Sequence, residues 1–331
     1  MELMSKLKSL PARLGFKPNK APAVEPRVSL LQDVPIENLT SEDTSAVTAY
    51  WNQHTVCDLI FKSKEHSLDY LKERNAKYPL FPEFMNIWGD HQGEVVVDYG
   101  CGPGNDTVGF LVHSNAKQVI GIDVSPKALT LASHRLSLHR NADLRRVRLL
   151  KISDSEVAIP LPDNSVDYIY CEGVLHHTTD PLSIIKEFNR ILKKGKEACV
   201  MVYNRHSLWM HLYVAYVEKI LNGKYEKFNA EEAFARTTDG DHCPLSRCYR
   251  PADFLAFIQA AGFRGDYVGG YYSLLELDLF KKYGKKAAAD ERLPREHRQF
   301  LSNLTLDNNG YPLFDGKCTG VGGVYRLFKA D

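Results

Sequence analysis

From Glu94 to Tyr203 short apolar runs alternate with longer stretches whose apolar positions recur at helical spacing. The runs are EVVVDY, QVIGID, RVRLLKI, VDYIYC and EACVMVY, and the helical stretches cover 105–114, 126–139 and 181–193. Parallel neighbours need crossover connections, and helices on both faces then bury both sides of the sheet, so its strands read as unbroken apolar runs. The pattern predicts an α/β fold built on a doubly wound, mostly parallel sheet.

The flanks read differently. Residues 1–18 set Leu3, Met4, Leu7, Leu10 and Leu14 at near-helical spacing among Lys and Arg, and Pro-rich sequence follows. This predicts a basic helix and flexible tether over 1–45, either packed on its own domain or making weak membrane-surface contact. The aromatic-rich segment 46–92 is expected to form two or three short helices that cover a pocket ahead of the core, 93–204. Residues 205–331 supply a substrate or lid region and the closing strands. Within them a helix starts at Pro251 and stops at Gly262. Strands are expected near 265–269 and 323–328, with an insertion at 270–318 that shapes either the pocket or a homodimer contact.

Composition narrows the partners. The 331 residues carry 42 Lys and Arg against 41 Asp and Glu, a net charge of +1, which provides no global field for nucleic acid. Hydrophobic residues at 44% and charged residues at 25% exclude a wholly disordered chain. Seven scattered cysteines do not form the paired framework of a small secreted domain, so a reducing, cytoplasmic setting is expected. No apolar run approaches the roughly 20 residues of a membrane span.

The chemistry is concentrated in VVVDYGCGPGNDTVGF. A buried-looking strand, Val95 to Val97, ends at Asp98 and runs into Gly100, Gly102 and Gly104, where the missing side chains let a ligand approach the main chain. A dinucleotide fingerprint would need glycine at position 105, which is Asn105, so a pyrophosphate ligand is disfavoured. The next strand ends in Asp123, a carboxylate placed to accept both hydroxyls of a ribose. Ser125 and Pro126 then open a helix as cap and first-turn residue. Together they imply a nucleoside ligand.

Over roughly residues 50–204 the sequence resembles the class I S-adenosylmethionine-dependent methyltransferases, in particular the ubiquinone-type group. The likeness rests on Asp98, Gly100, Gly102, Gly104 and Asp123, and on IPLPDNSVDYIYCEGVLHHTTDP with Asp163, Asp167, Glu172, Leu175, His176 and His177. The resemblance implies a seven-stranded, Rossmann-like sheet with S-adenosyl-L-methionine as cofactor. It implies that Asp98 and the turn Gly100, Cys101, Gly102 and Gly104 wrap the methionine and ribose, and that Asp123, followed by Val124, holds the ribose. Asp154 or Ser155 would meet the adenine amine, and Glu172 and Gly173 would line the sulfonium end.

His176 and His177 follow the fourth core strand, where an imidazole could take a hydroxyl proton near neutral pH. Tyr50, Trp51, Arg74 and Tyr78 are candidates for closing over the site. Asn204, Arg205, His206 and Trp209, with further candidates in 235–250, are expected to choose the substrate. His242, Cys243 and Cys248 lack the regular four-ligand spacing of a zinc site, so no metal is expected. The functional reading is methyl transfer to a small molecule or sugar-containing metabolite. The alternatives are a methyltransferase of RNA or protein, and a cofactor-binding scaffold without turnover.

Overall fold

A computed structural model of the protein describes residues 29–39 and 45–330. The basic helix expected in 1–18 lies outside the described residues. Strands β1 (Ile36–Asn38), β2 (Val95–Tyr99), β3 (Gln118–Asp123), β4 (Val147–Lys151), β5 (Val166–Glu172), β6 (Leu192–Tyr203) and β7 (Phe263–Tyr271) belong to the main sheet. A small antiparallel sheet follows, made of β8 (Thr305–Leu306), β9 (Pro312–Phe314) and β10 (Lys317–Cys318), and β11 (Gly322–Lys329) returns to the main one. The main sheet has 8 strands in the order β1-β4-β3-β2-β5-β6-β11-β7. All its neighbours pair in parallel except β11, which runs antiparallel to both β6 and β7.

The apolar runs are buried on both faces, as a crossover topology requires. Val96 and Val119 pack with Phe110 on one side, while Val97 and Ile120 pack with Ile185 and Phe188 of the Pro181–Ile191 helix on the other. Ser125 caps the Pro126–Ser137 helix by accepting the Ala128 N–H at 3.1 Å. The additional strand β1 comes from the segment expected to be a tether. Its three residues pair with Leu149 to Lys151, and Arg148 grips Glu37 through two hydrogen bonds of 2.9 and 2.7 Å. A strand this short, held on one edge, has too little periodicity to be read from sequence.

The insertion at 270–318 is mostly helical. Its helices Leu274–Ala289 and Arg295–Ser302 pack on the π-helix Trp209–Leu221, burying Leu208, Leu212, Leu279 and Phe300 together. Winding of the main sheet reverses between β2 and β5. The crevice beyond the carboxyl ends of those two strands is therefore where an open α/β sheet receives its ligand.

Candidate active site

Beyond β2 the chain turns through Gly100 (φ 77°) and Gly102 (φ 52°). A Cβ on Gly100 would lie 2.1 Å from Cγ2 of Val174, so the glycine lets the β2 turn meet the β5 turn. At Gly102 a Cβ would meet nothing within 4 Å, and the residue borders a cavity of about 940 Å³. Asp123, at the tip of β3, accepts the Gly102 N–H at Oδ2 and the Ser125 N–H at Oδ1, both at 2.8 Å. Burial pushes this carboxyl up, and the N–H groups of Ser125, Gly102 and Val124 oppose that rise. Each carboxylate oxygen keeps a further lone pair for a ligand hydroxyl.

Four carboxyl groups border the cavity near this turn. Asp98 accepts the Thr107 hydroxyl at 2.6 Å, and burial, reinforced by the nearby Asp106, raises it to about 8. Asp106 is clamped by Arg74 through hydrogen bonds of 2.9 and 2.7 Å and receives the Trp88 indole N–H at 3.2 Å. Burial opposes the charge on Arg74, but Asp106 outweighs it and keeps the guanidinium above its ordinary value. Glu172 accepts the Tyr271 hydroxyl at 3.0 Å, and burial followed by repulsion from Asp106 raises its carboxyl. With Asp123 these groups outnumber the single arginine, an arrangement that favours a cationic ligand over a pyrophosphate.

Of the residues expected at the site, Tyr50, Trp51, Arg74, Tyr78, Asp98, Gly100, Cys101, Gly102, Asp123, Val124, Asp154, Glu172, Gly173, His177 and Trp209 all line this one cavity. Gly104, Ser155, His176, Asn204, Arg205 and His206 are not on its wall. Gly104 instead caps the Asn105–His113 helix, and Ser155 turns its hydroxyl to Ser153 at 2.6 Å. Asn204 is spent on the chain itself, donating to the carbonyls of His206 and Gly320 at 2.8 and 3.1 Å. Arg205 pairs with Glu231, and the His206 ring packs 5.1 Å from that of Phe314.

The two histidines part company. His176 is wholly buried, 3.8 Å ring to ring from Tyr203, and neither of its nitrogens has a hydrogen-bond partner among the described residues. Burial holds it well below its ordinary value, so it stays neutral. His177 faces the cavity, edge-on to Trp51 at 4.6 Å, and its Nδ1–H donates to the Leu245 carbonyl at 2.6 Å. Its Nε2 lies 3.7 Å from Asp239 Oδ1. Asp239 in turn accepts the hydroxyls of Tyr203 at 2.9 Å and Ser246 at 2.6 Å, while Tyr50 donates to its main-chain carbonyl. Asp106, Tyr203, Asp239 and Tyr271 were not singled out by sequence reasoning, although Asp239 falls within the flagged stretch 235–250.

The structure thus defines a nucleoside-binding α/β domain with an open glycine turn, a ribose-type carboxylate and an acidic pocket. These features fit S-adenosylmethionine. Its adenosine would meet Asp123, and its sulfonium and ammonium charges would enter the acidic end. Residues 97–200 match the family described as a methyltransferase domain, and the chain carries a class I S-adenosylmethionine-dependent methyltransferase domain.

Among similar proteins, an uncharacterised methyltransferase of Schizosaccharomyces pombe is 33% identical over 107 residues, 31% of this chain and 38% of that protein. A ubiquinone biosynthesis O-methyltransferase of Hahella chejuensis is 28% identical over 180 residues, 50% of this chain and 71% of that one. The first alignment therefore spans well under half of its relative. The same fold occurs in a complex of the Haloferax volcanii Trm112 methyltransferase activator with a putative methyltransferase. The TM-score is 0.51 at 14% identity, covering 86% of this chain and 98% of that one.

Proposed function

We propose that the protein transfers the methyl group of S-adenosylmethionine to a small molecule, sugar-containing metabolites included, in the cytoplasm. The observation that carries this reading is the shape of the cavity. At about 940 Å³ it sits at the upper end of small-ligand pockets, and it runs from the glycine turn to an aromatic wall of Tyr50, Trp51, Tyr203 and Trp209. That wall comes from the Ala46–Gln53 helix, the end of β6 and the start of the π-helix beyond it, so the site is covered on the acceptor side. A covered pocket suits a compact acceptor better than a polymer. The name of the Hahella relative, an O-methyltransferase of ubiquinone biosynthesis, supports a small acceptor.

The sulfonium supplies an already activated methyl group, which leaves the chain to bind, align and exclude water. In this reading Asp123 holds the ribose, Asp154 the adenine amine, and Asp98 and Glu172 the positively charged end. Of the two histidines, His177 presents a ring nitrogen to the acceptor wall, beside Asp239 and Tyr203. Incubating the protein with methyl-labelled cofactor and a metabolite extract should yield a small product heavier by one labelled methyl group. Label found instead in acid-insoluble RNA or protein would overturn the proposal. Among the described residues no helix is long and apolar enough to cross a membrane.

A further inference from the structure

We propose that His177, Asp239 and Cys243 form a site for one divalent cation of the zinc class in the acceptor wall of the cavity. The inference deepens the methyltransferase reading and rests on it for what the ion would do, not for whether it binds. The three residues each offer one donor atom, and these atoms lie within 4.8 Å of one another. His177 comes from the turn after β5, while Asp239 and Cys243 come from the end of the Ala230–Asp239 helix and the loop beyond it. No spacing rule in the sequence would join them.

The donors are the ones zinc selects, an imidazole nitrogen, a carboxylate oxygen and a thiolate sulfur. At 3.7 Å, His177 Nε2 and Asp239 Oδ1 are too far apart for a hydrogen bond to each other. Bonds of about 2.0–2.3 Å to a tetrahedral ion would hold its ligands roughly 3.3–3.6 Å apart, so this pair is already near that spacing. The sulfur lies within 4.8 Å of both other donors.

A second, independent observation concerns the groups behind the ligands. Metal-bound histidines donate their other ring N–H to a carbonyl or carboxylate, and bound carboxylates are themselves hydrogen-bonded. Here His177 Nδ1–H donates to the Leu245 carbonyl at 2.6 Å, which leaves the Nε2 lone pair facing Asp239. The same carbonyl receives the Cys243 thiol at 3.2 Å. Asp239 is oriented by the hydroxyls of Tyr203 and Ser246. His177 and Asp239 both border the cavity, so the fourth position opens toward the acceptor. A hydroxyl bound there would lose its proton to water more readily, and His177 would serve as a ligand rather than as a base.

The test uses the full chain, freed of metal with a chelator and titrated with zinc chloride by calorimetry. One zinc per chain with proton release is expected, because the thiol must deprotonate to bind. Cobalt chloride should produce a thiolate-to-cobalt absorption that Cys243→Ser abolishes. Cys243→Ser and Asp239→Asn should each weaken zinc binding by about ten-fold or more. S-adenosylhomocysteine affinity is measured on the same samples. Its retention in Cys243→Ser reports an intact fold, and its absence in the unaltered protein sinks the methyltransferase reading instead. Zinc bound no more tightly by the unaltered protein than by Cys243→Ser overturns the metal site.

Discussion

The Asp123 carboxylate is tied to the main-chain N–H of Gly102 at 2.8 Å, joining the tip of β3 to the glycine turn after β2. The acid therefore fixes the turn and keeps lone pairs free for a ligand, which in the proposed reading are the ones that take the ribose hydroxyls. Asp123→Ala should lower S-adenosylmethionine affinity by about 2 kcal/mol, roughly thirty-fold, since hydrogen bonds to a charged group are worth about 1.5–3 kcal/mol. Asp123→Asn should fall between, because its amide cannot accept at both positions. Calorimetric affinity equal to that of the unaltered protein would remove Asp123 from the site.

The two glycines of the turn should fail in different ways. A methyl group at position 100 collides with Val174 in a backbone conformation that side chains avoid, so Gly100→Ala should unfold the protein at a visibly lower temperature. A methyl group at position 102 points into open space, leaving about 1 kcal/mol of backbone strain. Gly102→Ala should therefore lose cofactor affinity with little loss of thermal stability. Equal effects of the two substitutions on both measurements would contradict the assigned geometry.

In the proposed reading Asp98 links cofactor binding to pH. Its carboxyl, raised to about 8 by burial and by Asp106, holds its proton at pH 7 in the ligand-free protein. A cationic ligand favours the carboxylate, so binding should release a proton, and affinity should rise from pH 6 to 8. Calorimetry in two buffers of different ionisation heat checks this, and proton uptake would contradict it. For folding, the sign is opposite. The group binds its proton more tightly folded than unfolded, so its contribution is complete below the unfolded value of 3.8 and is lost as pH rises through about 8.

The core of this site was legible because it is local in sequence. Gly100, Gly102 and Asp98 share one turn, and Asp123 and Glu172 each end an apolar run, so period and position sufficed to place them. Asp239 and Tyr271 were not legible. They reach the cavity through the packing of the 205–331 region, and Asp239 lies 62 positions beyond His177 in the chain, a separation no periodicity spans. The opposite error has the same origin. Asn204 follows a core strand, where pockets are commonly finished, but its amide closes the turn onto Gly320 and the residue is not on the cavity wall.

Arg74 and Asp106 form a clamp whose side chains are 12% and 6% exposed. Removing one partner of such a pair strands a buried charge, at a cost of about 3 kcal/mol or more. Arg74→Met should therefore lower thermal stability, and Arg74→Met combined with Asp106→Leu should recover part of the loss. A double-mutant cycle in denaturant measures the coupling. Additive losses would show that the clamp carries no stability.

His176 and His177 are adjacent in sequence but occupy opposite situations, which makes a paired substitution decisive. His176 is fully buried, its two ring nitrogens have no partner among the described residues, and its lowered value keeps it neutral at any physiological pH. An orphaned buried polar atom costs about 1–3 kcal/mol, whereas the ring contact with Tyr203 is worth about 0.5–1.5 kcal/mol. His176→Leu, close in volume, should be neutral or stabilising by up to about 2 kcal/mol, and methyl transfer should persist. Because the imidazole is favoured neutral in the fold, its contribution is present above pH 6.5 and lost as pH falls toward its lower folded value. The leucine variant should accordingly be less acid-sensitive in thermal unfolding. His177→Leu should instead abolish turnover while leaving S-adenosylhomocysteine binding in place, since His177 stands on the acceptor wall. Loss of turnover in His176→Leu with its fold intact would return the catalytic role to the buried ring.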